Sequence, residues 1–168
     1  MEHPSKSQLN KLIAVGNYQF GKRVGAILFN RRIMIECSRK TGRIRHIYVQ
    51  RKLAATLKPK DGFLALTPYG AGIILSKMRR DAPNLVVVDP TVADAIREGG
   101  DVFAKHVLNA DPELRPGEEV IVTDPAGGLL GVGSAVLAGH EMTAFKRGVA
   151  VGLRRGSGGP YGEDSDVR

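Results

Sequence analysis

Few side chains in this chain could form disulfides, metal sites or aromatic platforms. Its 168 residues include one cysteine, Cys37, no tryptophan and only 5% aromatic residues. A single cysteine excludes an intrachain disulfide, and zinc sites built on several thiolates need more. The four histidines (His3, His46, His106 and His140) are scattered, and no pair has metal-ligand spacing. The composition therefore predicts no metal, no cofactor and no stacking platform of several rings.

Long apolar runs and catalytic motifs are also missing. No stretch approaches the roughly 18 apolar residues that span a bilayer, and the first residues form no apolar signal core. With one cysteine, this predicts a reducing, cytoplasmic location without a membrane partner. Gly131 and Gly133 have the spacing found in dinucleotide-binding loops, but such a loop lies at a strand-to-helix turn. Here both glycines lie inside a predicted strand, so the sequence predicts no dinucleotide site. With no nucleophile elbow either, the sequence favours a non-enzyme, although an active site assembled in space stays open.

Acidic residues are scarce in the first half of the chain. Residues 1–82 hold 17 Lys and Arg against 4 Asp and Glu, whereas residues 83–168 hold 8 against 13. The whole chain carries +8 and has a pI near 9.9. This asymmetry predicts two joined parts, of which the first meets a polyanion. Nucleic acid is favoured over an anionic membrane surface, and a charge that serves only solubility is the alternative.

The first part, residues 1–82, predicts a small α/β layer. Ser5 and Gln8 have capping-box spacing before a helix over 6–15, which Gly16-Asn17 should end. A second helix should cover 18–28. Thr67-Pro68 should start a third helix, which ends near residue 78. Two short β-branched stretches between them, at 32–37 and 43–49, predict strands, and the apolar stretches at 53–57 and 63–66 predict two more.

The second part, residues 83–155, predicts a compact and mostly β barrel after a polar boundary at 79–84. A helix over 92–98 should be capped by Thr91 and stopped by Gly99-Gly100. The apolar residues of 102–107 should fill the barrel, with Phe103 among them. Residues 156–168 predict a mobile tail. Strands are expected at 85–88, 119–123, 129–138 and 148–154, with a short helix at 140–146.

The order of these elements resembles a PUA domain, a pseudo-barrel found in tRNA and rRNA modification enzymes. The resemblance covers roughly 70 residues and implies an α+β chain that ends in a PUA-type pseudo-barrel. It implies RNA binding by the segment from Gly99-Gly100 to Val107. The residues that carry it are 88–89, 99–107, 115–120, 130–135, 141–142 and 147–151.

The first part resembles the segment before the PUA domain in archaeal tRNA-guanine transglycosylase, which begins archaeosine formation. The resemblance lies in residues 17–22, 38–48, 55–56 and 61–62. It implies the tRNA-docking end of such an enzyme, here as a separate chain. That family's catalytic barrel, its nucleophilic carboxylates and its Cys/His zinc site have no counterpart in this sequence.

Basic side chains cluster between Lys22 and Lys60, where lysine and arginine could contact phosphates. Arg43 and Arg45 are two apart, so on a strand they share a face. Arg39-Lys40 should lie in the adjacent turn, and Arg51-Lys52 at the opposite end of the strands. The predicted RNA-contacting residues are Lys22, Arg23, Arg39, Lys40, Arg43, Arg45, Arg51, Lys52, Gly99, Gly100, Lys105, His106, Arg147, Arg154 and Arg155.

The leading hypothesis is a non-catalytic protein that binds the acceptor-stem side of tRNA and targets a tRNA-modifying enzyme. A translation or ribosome-assembly factor that binds rRNA is a second hypothesis, with a ribosomal subunit as its partner. A small enzyme acting on modified guanine is a third. An adaptor that binds another protein through the acidic second half is a fourth. Gly99-Gly100 could equally be a simple helix cap, and the isolated arginines simple surface decoration.

Overall fold

The chain folds into two antiparallel-rich sheets with helices packed against them, an α+β architecture as expected. A computed structural model describes residues 1–159. One sheet has four strands and the other has six. Within these residues, no helix is both long enough and apolar enough to cross a membrane.

The first sheet is a meander of neighbouring strands in the order β1-β2-β3-β4. Three helices pack with it around a core that includes Leu12, Leu28 and Ile47. Its outer strand β1 is bridged by the backbone of Glu2, which exchanges two hydrogen bonds with Ile35 at 2.8 and 2.9 Å. The elements of this half are α1 (Lys6–Phe20), α2 (Val24–Leu28), β1 (Ile33–Cys37), β2 (Ile44–Val49), β3 (Lys52–Leu57), β4 (Leu64–Leu66) and α3 (Pro68–Met78).

The expected break at Gly16-Asn17 is wrong. Helix α1 continues to Phe20 and ends at Gly21, whose φ of 99° no other residue adopts easily. Gly16 is instead a packing position, because a Cβ there would lie 2.7 Å from the Cα of Gly25 on α2. The second helix is correspondingly shorter than expected. The expected caps at the starts of α1 and α3 are confirmed, with Ser5 forming a full capping box and Thr67 accepting from the Gly70 N–H.

The second sheet curls into a nearly closed barrel with the strand order β6-β10-β9-β8-β5-β7. All its pairings are antiparallel except that of β5 with β8. The barrel encloses a core of its own, which includes Val88, Val120, Leu130 and Met142. Its elements are β5 (Leu85–Val88), α4 (Ala93–Arg97), β6 (Val102–Phe103), β7 (Val107–Ala110), β8 (Glu119–Thr123), β9 (Leu129–Ala135), α5 (Gly139–Ala144) and β10 (Val149–Gly156).

Three expectations for this half need correction. Thr91 does not cap the helix; Asp89 caps the turn before it by accepting from the N–H and hydroxyl of Thr91. Phe103 does not fill the barrel, because its position in the two-residue strand β6 leaves the ring 46% exposed. The start of the expected tail is anchored, since Ser157 donates to the carbonyls of Leu129 and Leu130. The rest of that tail, residues 160–168, lies outside the described residues.

The two halves share apolar core. Ile121 of β8 and Val132 of β9 are fully buried against the helices and sheet of the first half. Strand β8 is therefore covered on both faces. Val120 and Val122 face the barrel interior, whereas Ile121 faces the first half. Glu119 lies two residues before Ile121 and so shares its face of the strand. This arrangement buries Glu119 under the first half of the chain.

Candidate nucleic-acid interface

A basic cleft opens at one end of the four-stranded sheet. The turns that join β1 to β2 and β3 to β4 form two of its sides, and one face of α1 forms another. The cleft has a volume of about 770 Å³. Its lining includes Lys11, Lys40, Arg43, Arg45, Lys58 and Lys60, with Asp61 as the one carboxylate among the lining residues.

The charge of this cleft is poorly compensated. Asp61 lies 3.7 Å from the ammonium of Lys58, and its carboxylate also accepts from the Phe63 N–H at 2.9 Å. Among residues 1–159, no ion pair involves the other five cations. Uncompensated cations in a concave surface raise the local concentration of polyanions. The cleft can therefore bind successive phosphates of a nucleic acid.

The predicted basic residues divide between the two ends of the sheet. Lys40, Arg43 and Arg45 line the cleft, and Arg39 belongs to the same turn. Arg51 and Lys52 lie at the opposite end, where Gln50 and Arg51 form a tight turn with positive φ values. The two ends thus form separate surfaces, as the strand spacing predicts. Lys22 and Arg23 lie in a third place, the exposed link between α1 and α2.

At the opposite end of the sheet, two cations contact other side chains of the protein. Arg31 donates to the Gln50 side chain at 3.1 Å, and the Lys52 ammonium lies 5.8 Å from the centre of the Tyr69 ring. A cation over an aromatic face is held there electrostatically. These contacts engage part of the charge at this end within the protein.

Two exposed aromatic rings stack beside the basic cleft. Tyr18 on α1 and Phe63 before β4 are nearly parallel, with an interplanar angle of 9° and centroids 5.9 Å apart. Tyr18 is 81% exposed. The sequence gives no sign of this pair because its members are 45 positions apart. Lys11 was missed too, although it shares a helical face with Val15 and Tyr18.

The Gly99-Gly100 segment is a helix cap whose amides are already engaged. Gly99 donates to the Ile96 carbonyl and Gly100 to the Ala95 carbonyl, both at 2.9 Å. These two N–H groups are therefore not free to donate to a phosphate. Gly99 remains open to solvent and has a φ of 104°, so a close approach by a ligand backbone is still possible there.

Lys105, His106 and Arg147 lie near one another on the barrel. Lys105 and His106 belong to a short turn after β6, and the neighbouring Ala104 N–H donates to the Gly148 carbonyl at 2.9 Å. Lys105 and Arg147 are exposed, and His106 is half-buried beside Asp89. Two hydrogen bonds from Thr91, with a smaller effect of His106, hold the pKa of Asp89 below its ordinary value. Arg155 is exposed at the far end of β10.

The guanidinium of Arg154 is paired with other groups of the protein, contrary to the expected phosphate contact. Its guanidinium pairs with both carboxylate oxygens of Glu119 and donates to the Leu66 carbonyl at 2.7 Å. The Leu66 N–H donates to the same carboxylate. Burial raises the pKa of Glu119, although Arg154 opposes the rise. The charge of Arg154 is therefore largely neutralised, and the three groups join β4 to β8 and β10.

The one thiol of the chain belongs to Cys37. Cys37 lies in β1, within the strand expected at 32–37, and is half-buried. Burial and the nearby Glu2 carboxylate raise the pKa of its thiol, which disfavours the reactive thiolate. Within residues 1–159, no three His, Cys, Asp or Glu side chains cluster as a metal site would require.

Both halves match known protein families. Residues 10–80 match the family model described as the patch-forming domain C2 of tRNA-guanine transglycosylase, and residues 84–156 match the PUA domain. The tRNA-guanine(15) transglycosylase of Methanobrevibacter smithii is 38% identical over 152 residues, which are 90% of this chain and 23% of that protein. The Thermococcus kodakarensis enzyme is 38% identical over 162 residues, 93% of this chain and 27% of that protein. The chain spans about a quarter of these curated relatives and matches their C-terminal part.

Solved structures share the fold over nearly the whole chain. A hypothetical protein from Pyrococcus horikoshii OT3 superposes with a TM-score of 0.78 and 22% identity, covering 96% of this chain and 97% of that one. A conserved PUA domain protein from Thermoplasma acidophilum superposes with a TM-score of 0.71 and 22% identity, covering 95% of each chain. The expected PUA-type barrel is thereby confirmed.

Proposed function

We propose that this chain, which consists of a transglycosylase patch-forming C2 domain followed by a PUA domain, binds structured RNA of the tRNA class. The observation that carries the proposal is the basic cleft, with six cations and one carboxylate among its lining residues. It lies in the segment that matches the C2 domain.

The chemistry of the cleft supports RNA over other polyanions. Lys and Arg side chains on exposed turns can contact phosphates without reading base sequence. Folded RNA presents closely spaced phosphates on a rigid helix, which suits two turns held by one sheet. Lys105 and Arg147 on the barrel offer a second set of phosphate contacts, and both belong to the PUA segment.

The relatives support tRNA as the RNA. Their names describe enzymes that act on tRNA guanine, and this chain corresponds to the part that carries the C2 and PUA domains. We propose that the chain docks on tRNA, on its acceptor-stem side, and targets a modifying enzyme to it. The matched segments include no catalytic domain of these relatives.

Fluorescence anisotropy over a salt series tests the proposal. Folded tRNA, an acceptor minihelix and an unrelated duplex are titrated with the full chain. About five phosphate contacts predict a log-log salt slope of roughly −3.5 to −4.5. The Arg43→Ala/Arg45→Ala variant removes two of these contacts, so its slope should be shallower by roughly 1.5.

The control is Arg31→Ala, which removes a cation from the opposite end of the sheet. It should weaken binding less than the cleft variant. Tighter binding of tRNA or minihelix than of duplex supports the tRNA class. Equal binding of all three refutes tRNA selectivity, and co-sedimentation with ribosomal subunits would then favour an rRNA target. No binding to any RNA refutes the function.

A further inference from the structure

We infer that the stacked pair of Tyr18 and Phe63 is a platform for an unpaired nucleobase, next to the cleft that holds its phosphates. This inference rests on the proposed RNA binding and specifies which RNA it requires. A platform of this kind selects RNA with a loop, bulge or single-stranded end, because paired bases are covered by their neighbours in the helix.

The exposure of the pair points to a ligand rather than to packing. Phe20, two residues further along the same helix, is buried at 3% exposure, whereas Tyr18 is 81% exposed. Phe63 is 37% exposed, and its ring lies nearly parallel to that of Tyr18. Tyr18 therefore keeps most of its surface open to solvent. An open aromatic face is the feature on which a base stacks.

The platform is held in place by hydrogen bonds around it. The side-chain amide of Gln19, next to Tyr18, donates to the Leu64 carbonyl at 2.7 Å and accepts from the Leu64 N–H at 2.8 Å. The Phe63 carbonyl accepts from the Lys58 N–H at 2.9 Å. These bonds fix α1 against the end of the β3–β4 turn at the position of the two rings. A preorganised platform loses little entropy when a base binds.

The platform and the cleft are continuous. Lys11 and Val15 line the cleft and lie seven and three residues before Tyr18 on α1, so all three share one helical face. At 1.5 Å rise per residue, Tyr18 is about 10 Å along the helix axis from Lys11. Gly62 also lines the cleft and is followed by Phe63. A strand whose phosphates follow the cations thus reaches the rings within a few nucleotides.

The experiment compares two RNAs with the same stem, a hairpin with an unpaired loop and a blunt duplex. Tyr18→Ala should weaken hairpin binding about 5- to 100-fold, the range that one base stack supplies. Duplex binding should change less than twofold. Tyr18→Phe keeps the ring and should bind the hairpin like the parent chain. A 2-aminopurine in the loop should lose fluorescence on binding to the parent and not to Tyr18→Ala.

Leu108→Ala is the matched control, because Leu108 is a large apolar residue, 54% exposed, on the barrel strand β7. It should leave both affinities unchanged. If Arg43→Ala/Arg45→Ala weakens both RNAs while Tyr18→Ala weakens neither, the platform is refuted and the proposed function stands. An equal loss on hairpin and duplex refutes base stacking as well. If the parent binds neither RNA, the proposed function fails and the platform with it.

Discussion

Replacement of Arg154 by methionine tests how much stability comes from the Glu119–Arg154 ion pair, which also binds the backbone of Leu66 in the first half. The change keeps an unbranched side chain but removes the charge opposite Glu119, whose side chain is fully buried. Loss of one partner of a fully buried pair costs roughly 3–5 kcal/mol. Because the Arg154 side chain is 34% exposed, water can partly replace it. We therefore expect a loss of roughly 2–4 kcal/mol in the free energy of unfolding, or about 4–16 °C in Tm.

The pH dependence of this loss identifies its cause. Burial raises the pKa of Glu119 above its ordinary value of 4.5, so the native state keeps a proton that the unfolded chain releases. Its contribution to stability therefore falls as pH rises from the ordinary value through the native pKa. Without Arg154 the native pKa rises further. The penalty of Arg154→Met should thus be small near pH 4 and grow as the pH increases.

The assay is urea unfolding followed by circular dichroism at several pH values. Arg147→Met is the control, because Arg147 is exposed and its removal should change stability by less than about 0.5 kcal/mol. A penalty for Arg154→Met below about 1 kcal/mol, or one that does not vary with pH, would refute the reasoning. It would mean that Glu119 does not depend on Arg154 for its charge.

Two further predictions concern packing and titration. Gly16→Ala should destabilise by about 1–3 kcal/mol, because its Cβ would lie 2.7 Å from the Gly25 Cα. Gly72→Ala in α3 meets open space and should stabilise by about 0.4–1 kcal/mol; urea unfolding that shows both variants stabilised would contradict the contact. Thr91→Val removes one of two donors to Asp89 and should raise the pKa of that carboxyl toward 3.8 in an NMR titration. An unchanged midpoint would show that the hydroxyl has no effect.

Local chemistry explains what could be predicted from the sequence. The caps at Ser5 and Thr67 act through side chains within three residues of their partners, so both helix starts were correct. Short β-branched stretches located β1 and β2, and short apolar stretches located β3 and β4. The break at Gly16 failed because the glycine serves contact with another helix, and intrinsic propensity carries no information about that contact.

The parts of the site that could not be predicted depend on distant pairs. The sequence does not distinguish Arg154 from an unpaired surface cation, because its partner Glu119 lies 35 residues earlier. The sequence does not show that the N–H groups of Gly99 and Gly100 donate to carbonyls at the end of α4. Tyr18 and Phe63 meet where Gln19 joins α1 to β4. Charge clustering predicted the turn 39–45 as a basic surface, since its members are close in the sequence.

The hydrogen bonds around the four-stranded sheet also prevent it from recruiting another strand. Its two outer strands are β1 and β4. An outer strand normally presents free N–H and C=O groups, which can pair with a strand of another molecule and lead to aggregation. Here Glu2 occupies both groups of Ile35, and the His3 ring contacts the Ile33 carbonyl at 3.1 Å.

On β4 the same protection comes from side chains. Gln19 satisfies both backbone groups of Leu64, and Glu119 with Arg154 satisfies both groups of Leu66. The sheet is thereby closed to edge-to-edge assembly at these positions without a further strand. A partner protein that adds a strand beside β4 would first have to displace the side-chain amide of Gln19 or the Glu119–Arg154 ion pair. The surfaces left for recognition are the turns at the ends of the sheet, where the cations and the stacked rings lie.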